Sequence, residues 1–179
     1  MRLFIAVNLS DEMRTALIDA QNDMYESGVR GNFSPENNLH VTLAFIGEYP
    51  DPEDVQEALS SLEIRPFTIT LDRCGSFGGD LWWAGLKASP VLDAIARKVR
   101  RALAENDIPF DKKRFSPHIT LVRRAENGFP VEIKPVSMTV DHISIMRSDR
   151  GKQGMIYTEV GQISNTSIQR SIQGGGVYG

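Results

Sequence analysis

Hydrophobic positions recur along this chain with two different spacings, and together they predict a mixed α+β fold. Alternation of apolar and polar residues indicates a half-buried strand, and apolar residues three and four positions apart indicate one face of a helix. The predicted strands are Arg2–Asn8, Leu39–Ile46, Phe67–Cys74, Leu81–Leu86, Phe115–Arg123, Val136–Met146 and Met155–Ile163, the last two joined by a loop at Asp149–Gly151. The predicted helices are Asp11–Ser27, a segment that contains Val55, Ala58, Leu59 and Leu62, and Ser89–Asn106.

The predicted elements follow the same order in the two halves of the chain. Each half has a strand, a helix and then a strand with a His-x-Thr sequence; the first set ends at Ile46 and the second at Arg123. This repeat predicts an α+β protein of two pseudo-symmetric lobes, with mainly antiparallel sheets and outer helices around a central cleft. We expect residues 1–163 to form this single bilobal domain and residues 164–179, a glycine-rich segment, to form a mobile tail.

The two His-x-Thr strands carry the most informative pattern in the chain. They are His40-Val41-Thr42-Leu43 and His118-Ile119-Thr120-Leu121. Because successive side chains of a strand point to opposite faces, the His and Thr of each motif share one face while the apolar residues enter the core. One such strand is most often a surface feature, but two copies at matching positions of two matching halves favour a shared site. We therefore expect two imidazoles and two hydroxyls in one cleft.

This set of side chains suits acid–base chemistry on a phosphate. Histidine titrates near neutral pH, so His40 and His118 can supply the base and the acid that phosphodiester cleavage needs. The hydroxyls of Thr42 and Thr120 can hydrogen-bond to phosphoryl oxygens. Arg123 faces away from this set in a regular strand, whereas a β-bulge would turn its guanidinium toward a bound phosphate.

Charge and cysteine content narrow the class of protein. The 179 residues carry a formal net charge of −3, which argues against coating of nucleic acid by bulk charge but allows a small site for one RNA end. The basic face of the third helix, Arg97, Lys98, Arg100 and Arg101, is interpreted as solvated surface. The single cysteine, Cys74, excludes an intramolecular disulfide and is typical of a reducing cytoplasm. The first apolar run is too short for a signal or membrane segment.

Other chemistries fit the sequence less well. His142 lies in another alternating stretch and is interpreted as structural or surface. His40, His118 and a carboxylate could bind zinc, but there is no His-x-His, His-x-x-x-His or cysteine cluster, so we expect no metal site. Neither Gly-x-Ser-x-Gly nor Gly-x-x-x-x-Gly-Lys is present, which argues against a serine nucleophile and a P-loop.

The paired motifs also resemble a known family. His-x-Thr sequences separated by roughly half the chain are similar to those of the 2H phosphoesterases, and most of all to the bacterial and archaeal RNA 2′,3′-cyclic phosphodiesterases, historically called 2′-5′ RNA ligases. The resemblance covers about residues 1–163. It is carried by the stretches Arg2-Leu3-Phe4-Ile5-Ala6, Pro35-Glu36-Asn37-Asn38-Leu39-His40-Val41-Thr42-Leu43-Ala44-Phe45-Ile46-Gly47-Glu48 and Phe115-Ser116-Pro117-His118-Ile119-Thr120-Leu121-Val122-Arg123.

The resemblance implies a bilobal fold, no required metal or nucleotide cofactor, and hydrolysis of a 2′,3′-cyclic phosphate at an RNA end to a 2′-phosphate. By the same resemblance His40 is the acid and His118 the base, and Thr42, Thr120 and Arg123 bind the phosphate. One histidine would deprotonate water, which attacks phosphorus, and the other would protonate the departing 3′ oxygen.

Two details differ from the usual family pattern. Phe33 stands where the family often has Trp, so that stacking on a base and simple packing both stay open for this ring. The segment Glu36-Asn37-Asn38-Leu39 has one more Asn than usual, which could shift the loop before His40.

The expected partner is an RNA end with a 2′,3′-cyclic phosphate or a small cyclic nucleotide. We expect the protein to be a cytoplasmic monomer with no membrane attachment. Reversible 2′-5′ RNA joining, or opening of another cyclic phosphate such as that on ADP-ribose, stays open as an alternative reaction. A module that binds a nucleotide or RNA end without catalysis is a further alternative. The presence of both His and both Thr argues against it, because binding alone needs no pair of proton donor and acceptor.

Overall fold

The computed structural model describes residues 1–164, which form two antiparallel sheets, three α-helices and one turn of 3-10 helix at Glu36–Asn38. The strands are β1 (Arg2–Asn8), β2 (Arg30–Phe33), β3 (His40–Glu48), β4 (Phe67–Phe77), β5 (Leu81–Leu86), β6 (His118–Glu126), β7 (Ser137–Val140), β8 (His142–Gly151) and β9 (Gly154–Ser164). The helices are α1 (Asp11–Glu26), α2 (Pro52–Leu59) and α3 (Pro90–Glu105). Ser164 belongs to β9, and the rest of the predicted tail lies outside the described residues.

The two long helices begin where the sequence supplies a capping side chain. Ser10 accepts a hydrogen bond from the Met13 backbone N–H at 3.2 Å, and Ser89 accepts one from Leu92 at 3.1 Å. Such bonds satisfy backbone donors that the first turn of a helix leaves unpaired. The apolar stripes predicted for both helices are buried, as expected. Within residues 1–164, none of the helices is both long and apolar enough to cross a membrane.

The strand order confirms the predicted α+β fold of two similar lobes. The first sheet has the order β3-β1-β8-β9, and the second has the order β2-β6-β5-β4-β7. The pairs β1·β3 and β5·β6 occupy equivalent places, since β8 pairs with β1 as β4 pairs with β5. The register is equivalent too, because His40 lies opposite Asn8 and His118 lies opposite Gly85 at the ends of their pairs.

The helices cross between the lobes and join their cores. Helix α1 follows β1 of the first sheet but contacts β6 of the second, and α3 follows β5 of the second sheet but contacts β3 of the first. Helix α2 packs on β8, β9 and α3. One hydrophobic cluster therefore runs through both sheets, from Leu3 and Leu43 to Leu103 and Leu121. The lobes are pseudo-symmetric, but they share one core.

The predicted strand Val136–Met146 is wrong as a single element. The chain pairs with β4 in the second sheet as β7, then passes through Asp141 to the first sheet, where β8 pairs with β1 and β9. The alternation of apolar residues continues across Asp141, because this pattern shows only which side chains are buried. It does not show which sheet supplies the partner strand. The predicted loop at Asp149–Gly151 is also wrong, since these residues continue β8 opposite the start of β9.

Strand β2 was not predicted, although it forms the edge of the second sheet beside β6. Its four residues, Arg-Gly-Asn-Phe, are mostly exposed and contain a glycine, so that they show no strand alternation. Pairing with β6 places the end of β2, Phe33, opposite Val122.

Each His-x-Thr strand carries an extra residue directly after its threonine, and β3 carries a second one at Ile46. In the β1·β3 pair the partners change from Ala6↔Thr42 to Ile5↔Ala44, so Leu43 has no partner of its own. In the β5·β6 pair they change from Trp83↔Thr120 to Trp82↔Val122, which leaves Leu121 extra. These are β-bulges, and a bulge shifts the alternation of every side chain that follows it.

The glycine of β2 is required by the close approach of β6. A Cβ atom on Gly31 would lie 2.8 Å from the Arg123 carbonyl oxygen and 3.0 Å from the Ala125 Cα, both backbone atoms that cannot rotate away. The φ angle of +154° is also one that L side chains rarely adopt. We expect Gly31→Ala to lower the free energy of unfolding by about 1–3 kcal/mol, measured by urea denaturation. Asn32→Ala, on the same strand, is the control; an equal, small effect of both variants would contradict this account.

Candidate active site

One cavity of about 460 Å³ is lined by every residue that the sequence predicts for the site. Its wall contains both histidines and both threonines of the two motifs, together with Arg123 and Phe33. The cavity lies where β3 of the first sheet contacts β6 of the second. The predicted cleft between the lobes therefore exists, and the roles of these six residues in it stay predictions.

Both histidine rings are held in the same way. The Nδ1 of His40 lies 2.6 Å from the carbonyl oxygen of Asn38, and the Nδ1 of His118 lies 2.7 Å from that of Ser116. A carbonyl can only accept, so the hydrogen must be on Nδ1 in both rings. In each neutral ring the lone pair is then on Nε2, so Nε2 is the nitrogen that can accept a proton.

The two Nε2 atoms differ in their partners. The Nε2 of His40 lies 2.8 Å from Thr42 Oγ1, and because the neutral ring can only accept at this atom, the hydroxyl donates to it. Among the described residues, no protein group bonds the Nε2 of His118 or the hydroxyl of Thr120. The lone pair of His118 is thus open to a water or ligand, whereas that of His40 is engaged.

His40 lies in the more enclosed surroundings. Its ring contacts Phe4 at 5.0 Å and the edge of Tyr157 at 5.3 Å between centroids. Burial lowers the pKa of His40, and the positive charges of Arg123 and His118 lower it further, against the opposing hydrogen bond to Asn38. The neutral ring is therefore favoured in the free protein.

The β6 bulge directs Arg123 into the cavity. Leu121 and Val122 are both buried, and the residue that follows them is consequently on the same face as His118 and Thr120. Arg123 makes no ion pair with any residue in the part of the chain that the structure describes. The bulge that the sequence left open is present, and it supplies a guanidinium without a protein counter-ion.

Helix side chains support the carbonyl groups at both bulges. The Leu121 carbonyl accepts from the Gln21 side-chain amide of α1 at 3.0 Å and from the Ser34 backbone N–H at 2.9 Å. The equivalent Leu43 carbonyl accepts from Arg100 Nε of α3 at 3.2 Å. Each bulge is thus tied to the helix that crosses from the other lobe. Arg100 is partly buried by this contact and does not belong to the solvated basic face that the sequence predicted.

Comparison with known proteins assigns the family. The sequence model of the 2′-5′ RNA ligase superfamily matches residues 29–152. The chain is 33% identical to the RNA 2′,3′-cyclic phosphodiesterase of Thermus thermophilus over 92% of this chain and 90% of that protein. This chain belongs to the 2′-5′ RNA ligase superfamily. The protein of the same name from Escherichia coli is 31% identical, over 73% of this chain and 76% of its own length.

Solved structures of the superfamily share the fold. The crystal structure of Escherichia coli LigT in apo form superposes with a TM-score of 0.79 and 27% identity, covering 91% of this chain and 96% of that one. LigT complexed with 3′-AMP superposes with a TM-score of 0.77 over the same shares of the two chains. The predicted resemblance to this family is confirmed.

Superfamily motifs did not reveal several neighbours of the histidines. Tyr157 of β9 and Phe77 of β4 place their edges on the rings of His40 and His118, at 5.3 and 5.0 Å between centroids. Both are distant in sequence from the motif they touch, so no local pattern could identify them. Asn38 was noted only as an unusual residue. Its carbonyl orients His40, and its side chain donates to the Met155 carbonyl at 2.9 Å, which ties the β8–β9 hairpin to the cavity.

The remaining candidates lie elsewhere. His142 begins β8 and bonds the adjacent Asp141 at 2.6 Å outside the cavity, as predicted for a structural or surface residue. Burial raises the pKa of the Cys74 thiol, which also lies away from the cavity. Within residues 1–164 no group of three or more His, Cys, Asp or Glu side chains could hold a metal ion.

We expect the pKa of His40, measured by NMR titration, to lie below 6.5 and to rise when Arg123 is replaced by Gln. Because the folded chain holds His40 less protonated than the unfolded chain, its contribution to stability is lost as the pH falls below about 6.5. Arg97→Gln, which removes a charge outside the cavity, is the control. An unchanged His40 pKa in Arg123→Gln would refute the electrostatic contact.

Proposed function

We propose that this protein hydrolyses a 2′,3′-cyclic phosphate at the end of an RNA strand and leaves a 2′-phosphate. The observation that carries this proposal is the pair of histidines in one cavity, each with its Nδ1–H bonded to a backbone carbonyl, so that proton transfer falls to Nε2 in both rings. Relatives named RNA 2′,3′-cyclic phosphodiesterase support the substrate. An unpaired Arg123 beside the histidines suits the phosphate anion.

We assign the base to His118 and the acid to His40. The Nε2 of His118 has no protein partner among the described residues and can accept a proton from water, whose oxygen then attacks phosphorus. The bond from phosphorus to the 3′ oxygen breaks, and protonated His40 transfers its Nε2 proton to that oxygen. The products are a 2′-phosphomonoester and a 3′-hydroxyl, and solvent returns the proton from His118 to His40.

In this proposal the other four site residues contact the substrate, and substrate binding also changes the protonation of His40. The anionic substrate favours the protonated form of His40, which opposes the effect of burial on its pKa. Protonated Nε2 donates, so Thr42 is released from its bond to His40 and can donate to a phosphoryl oxygen together with Thr120. Arg123 bonds the same anion. Phe33, on the cavity wall and 6.4 Å from the Tyr25 ring, stacks on the terminal base.

Two properties of the whole molecule complete the proposal. An RNA substrate and a single cysteine support a cytoplasmic location. The cavity is built from one copy of the chain, which supports activity as a monomer.

The reaction is tested with EDTA-treated protein and an RNA oligomer that ends in a 2′,3′-cyclic phosphate. We expect conversion to a 2′-phosphate, and a loss of roughly 10²–10⁴-fold in turnover for His40→Ala and for His118→Ala. His142→Ala is the matched control, because it removes a histidine that lies outside the cavity. Near-normal turnover in either cavity variant would disprove the two-histidine mechanism, and activity that returns only with added metal would replace it with metal catalysis.

The order of the two roles is tested with a substrate in which sulfur replaces the departing 3′ oxygen. A thiolate leaves without protonation, so the loss of the acid costs little on this substrate while the loss of the base costs as much as before. We expect the sulfur substrate to restore most of the turnover of His40→Ala and little of that of His118→Ala. Restoration of the His118 variant alone would reverse the assignment.

A second reaction at the same site is 2′-5′ joining of RNA, which the superfamily description names. Here a 5′-hydroxyl takes the place of water as the nucleophile, and His118 accepts its proton. Incubation of the cyclic-phosphate RNA with a second RNA that has a 5′-hydroxyl separates the two reactions, because the joined strand is longer than the hydrolysed product. Small cyclic nucleotides, including a cyclic phosphate on ADP-ribose, are assayed in parallel.

A further inference from the structure

A second cavity, of about 570 Å³, continues the active-site cleft past His40. It shares His40, Thr42, Arg123, Met155 and Tyr157 with the first cavity, so the two form one groove with His40 at their junction. His118 lines the first cavity only. The second cavity then extends over the ends of β1 and β8, where no residue of either His-x-Thr motif lies. We call this extension the β1–β8 groove.

The β1–β8 groove is strongly basic in a protein of net charge −3. Its wall includes the guanidinium groups of Arg2, Arg123 and Arg150 and no carboxylate. In residues 1–164 none of the three arginines takes part in an ion pair. The acid next to Arg150 in the chain, Asp149, is already bonded to Arg147 at 2.8 Å. Glu48, which lies opposite Arg2 in the β1·β3 pair, is bonded to the N-terminal ammonium group at 3.2 Å. Arginine with no protein counter-ion is a natural ligand for phosphate.

The groove also presents an aromatic ring. Phe45 follows His40 by five residues, as Arg123 follows His118, and the β3 bulge turns it away from the core in the same way. The ring is 37% exposed, and the guanidinium carbon of Arg2 lies 5.4 Å from its centroid. Stacking platforms beside unpaired cations are the features by which proteins bind single-stranded nucleic acid.

We propose that the β1–β8 groove binds the nucleotide that precedes the cyclic-phosphate end of the same RNA strand. The phosphodiester between the last two nucleotides lies on Arg2 and Arg150, and the preceding base stacks on Phe45. The terminal nucleoside occupies the first cavity beside Phe33. This inference rests on the proposed function and adds a second nucleotide to its substrate.

The groove makes the protein selective for RNA chain length. A 2′,3′-cyclic mononucleotide places its phosphate at the histidines but has nothing to bind to Arg2, Arg150 or Phe45. A dinucleotide or longer strand gains one phosphate contact and one stacked base. We expect kcat/KM to be at least about tenfold higher for the oligomer, since only the oligomer gains the phosphate contact and the stacked base.

The test compares a 2′,3′-cyclic mononucleotide with an RNA oligomer that has the same terminal nucleotide. We expect Arg150→Gln and Arg2→Gln each to lower kcat/KM for the oligomer about tenfold and to change it less than about twofold for the mononucleotide. Phe45→Leu should act in the same direction. Arg97→Gln, which removes an exposed arginine of α3, should change neither substrate.

Salt dependence gives an independent readout that misfolding would not produce. Loss of one phosphate contact should reduce the slope of log kcat/KM against log salt concentration by about 0.7 for the oligomer alone. Equal losses on both substrates, or an unchanged salt slope, would overturn the groove assignment. A variant that lowers joining to a second strand while hydrolysis of the oligomer stays normal would overturn it as well, since the groove would then hold the incoming strand.

These outcomes are distinct from a failure of the proposed function. If the wild-type protein hydrolyses neither the mononucleotide nor the oligomer, the proposed function fails and the inference fails with it. If it hydrolyses both at equal efficiency, the proposed function stands and only the inference is refuted.

Discussion

The extra residue in β3 and in β6 is the constraint on which the cleft depends. In a strand with strict alternation, Arg123 would point into the core together with Ile119 and Leu121, where an unpaired guanidinium is far too costly to bury. The bulge lets Leu121 and Val122 both enter the core and returns Arg123 to the face of the histidine. The same device in β3 brings Phe45 to the groove. This local irregularity thus keeps Arg123 out of the apolar core and places it in the cleft.

At each bulge a backbone carbonyl group accepts a hydrogen bond from a side chain of a crossing helix. Gln21 of α1 bonds the Leu121 carbonyl of the second sheet, and Arg100 of α3 bonds the Leu43 carbonyl of the first. Each helix therefore supports the motif of the opposite half of the chain. The pseudo-symmetry therefore extends to these contacts, in which each helix bonds a strand of the other lobe.

The electrostatics of the cleft divide it into two regions. At the junction, burial and the positive charge of Arg123 lower the pKa of His40, which favours its neutral ring in the free protein. Along the groove, the wall that contains Arg2 and Arg150 has no protein carboxylate. In the proposed complex, the bound phosphate chain supplies negative charge to both regions and favours the protonated form of His40.

Much of this could be predicted from sequence, because alternation and helical spacing record burial directly. Strand β1, helices α1 and α3, the paired His-x-Thr strands and their convergence at one site follow from local pattern and from its repetition. The limits of β7 and β8 did not follow, because an apolar run has the same appearance whichever sheet supplies its partner.

The sequence by itself determined which faces are apolar, which side chains are candidates for the chemistry and that the two halves correspond. Only the tertiary structure decided the register shifts that turn Arg123 and Phe45 toward the cleft, the carbonyl groups that orient the histidine rings, and the placement of Tyr157 and Phe77 on those rings. Register and ring contacts depend on pairing between segments far apart in the chain. No pattern within a single segment contains that information.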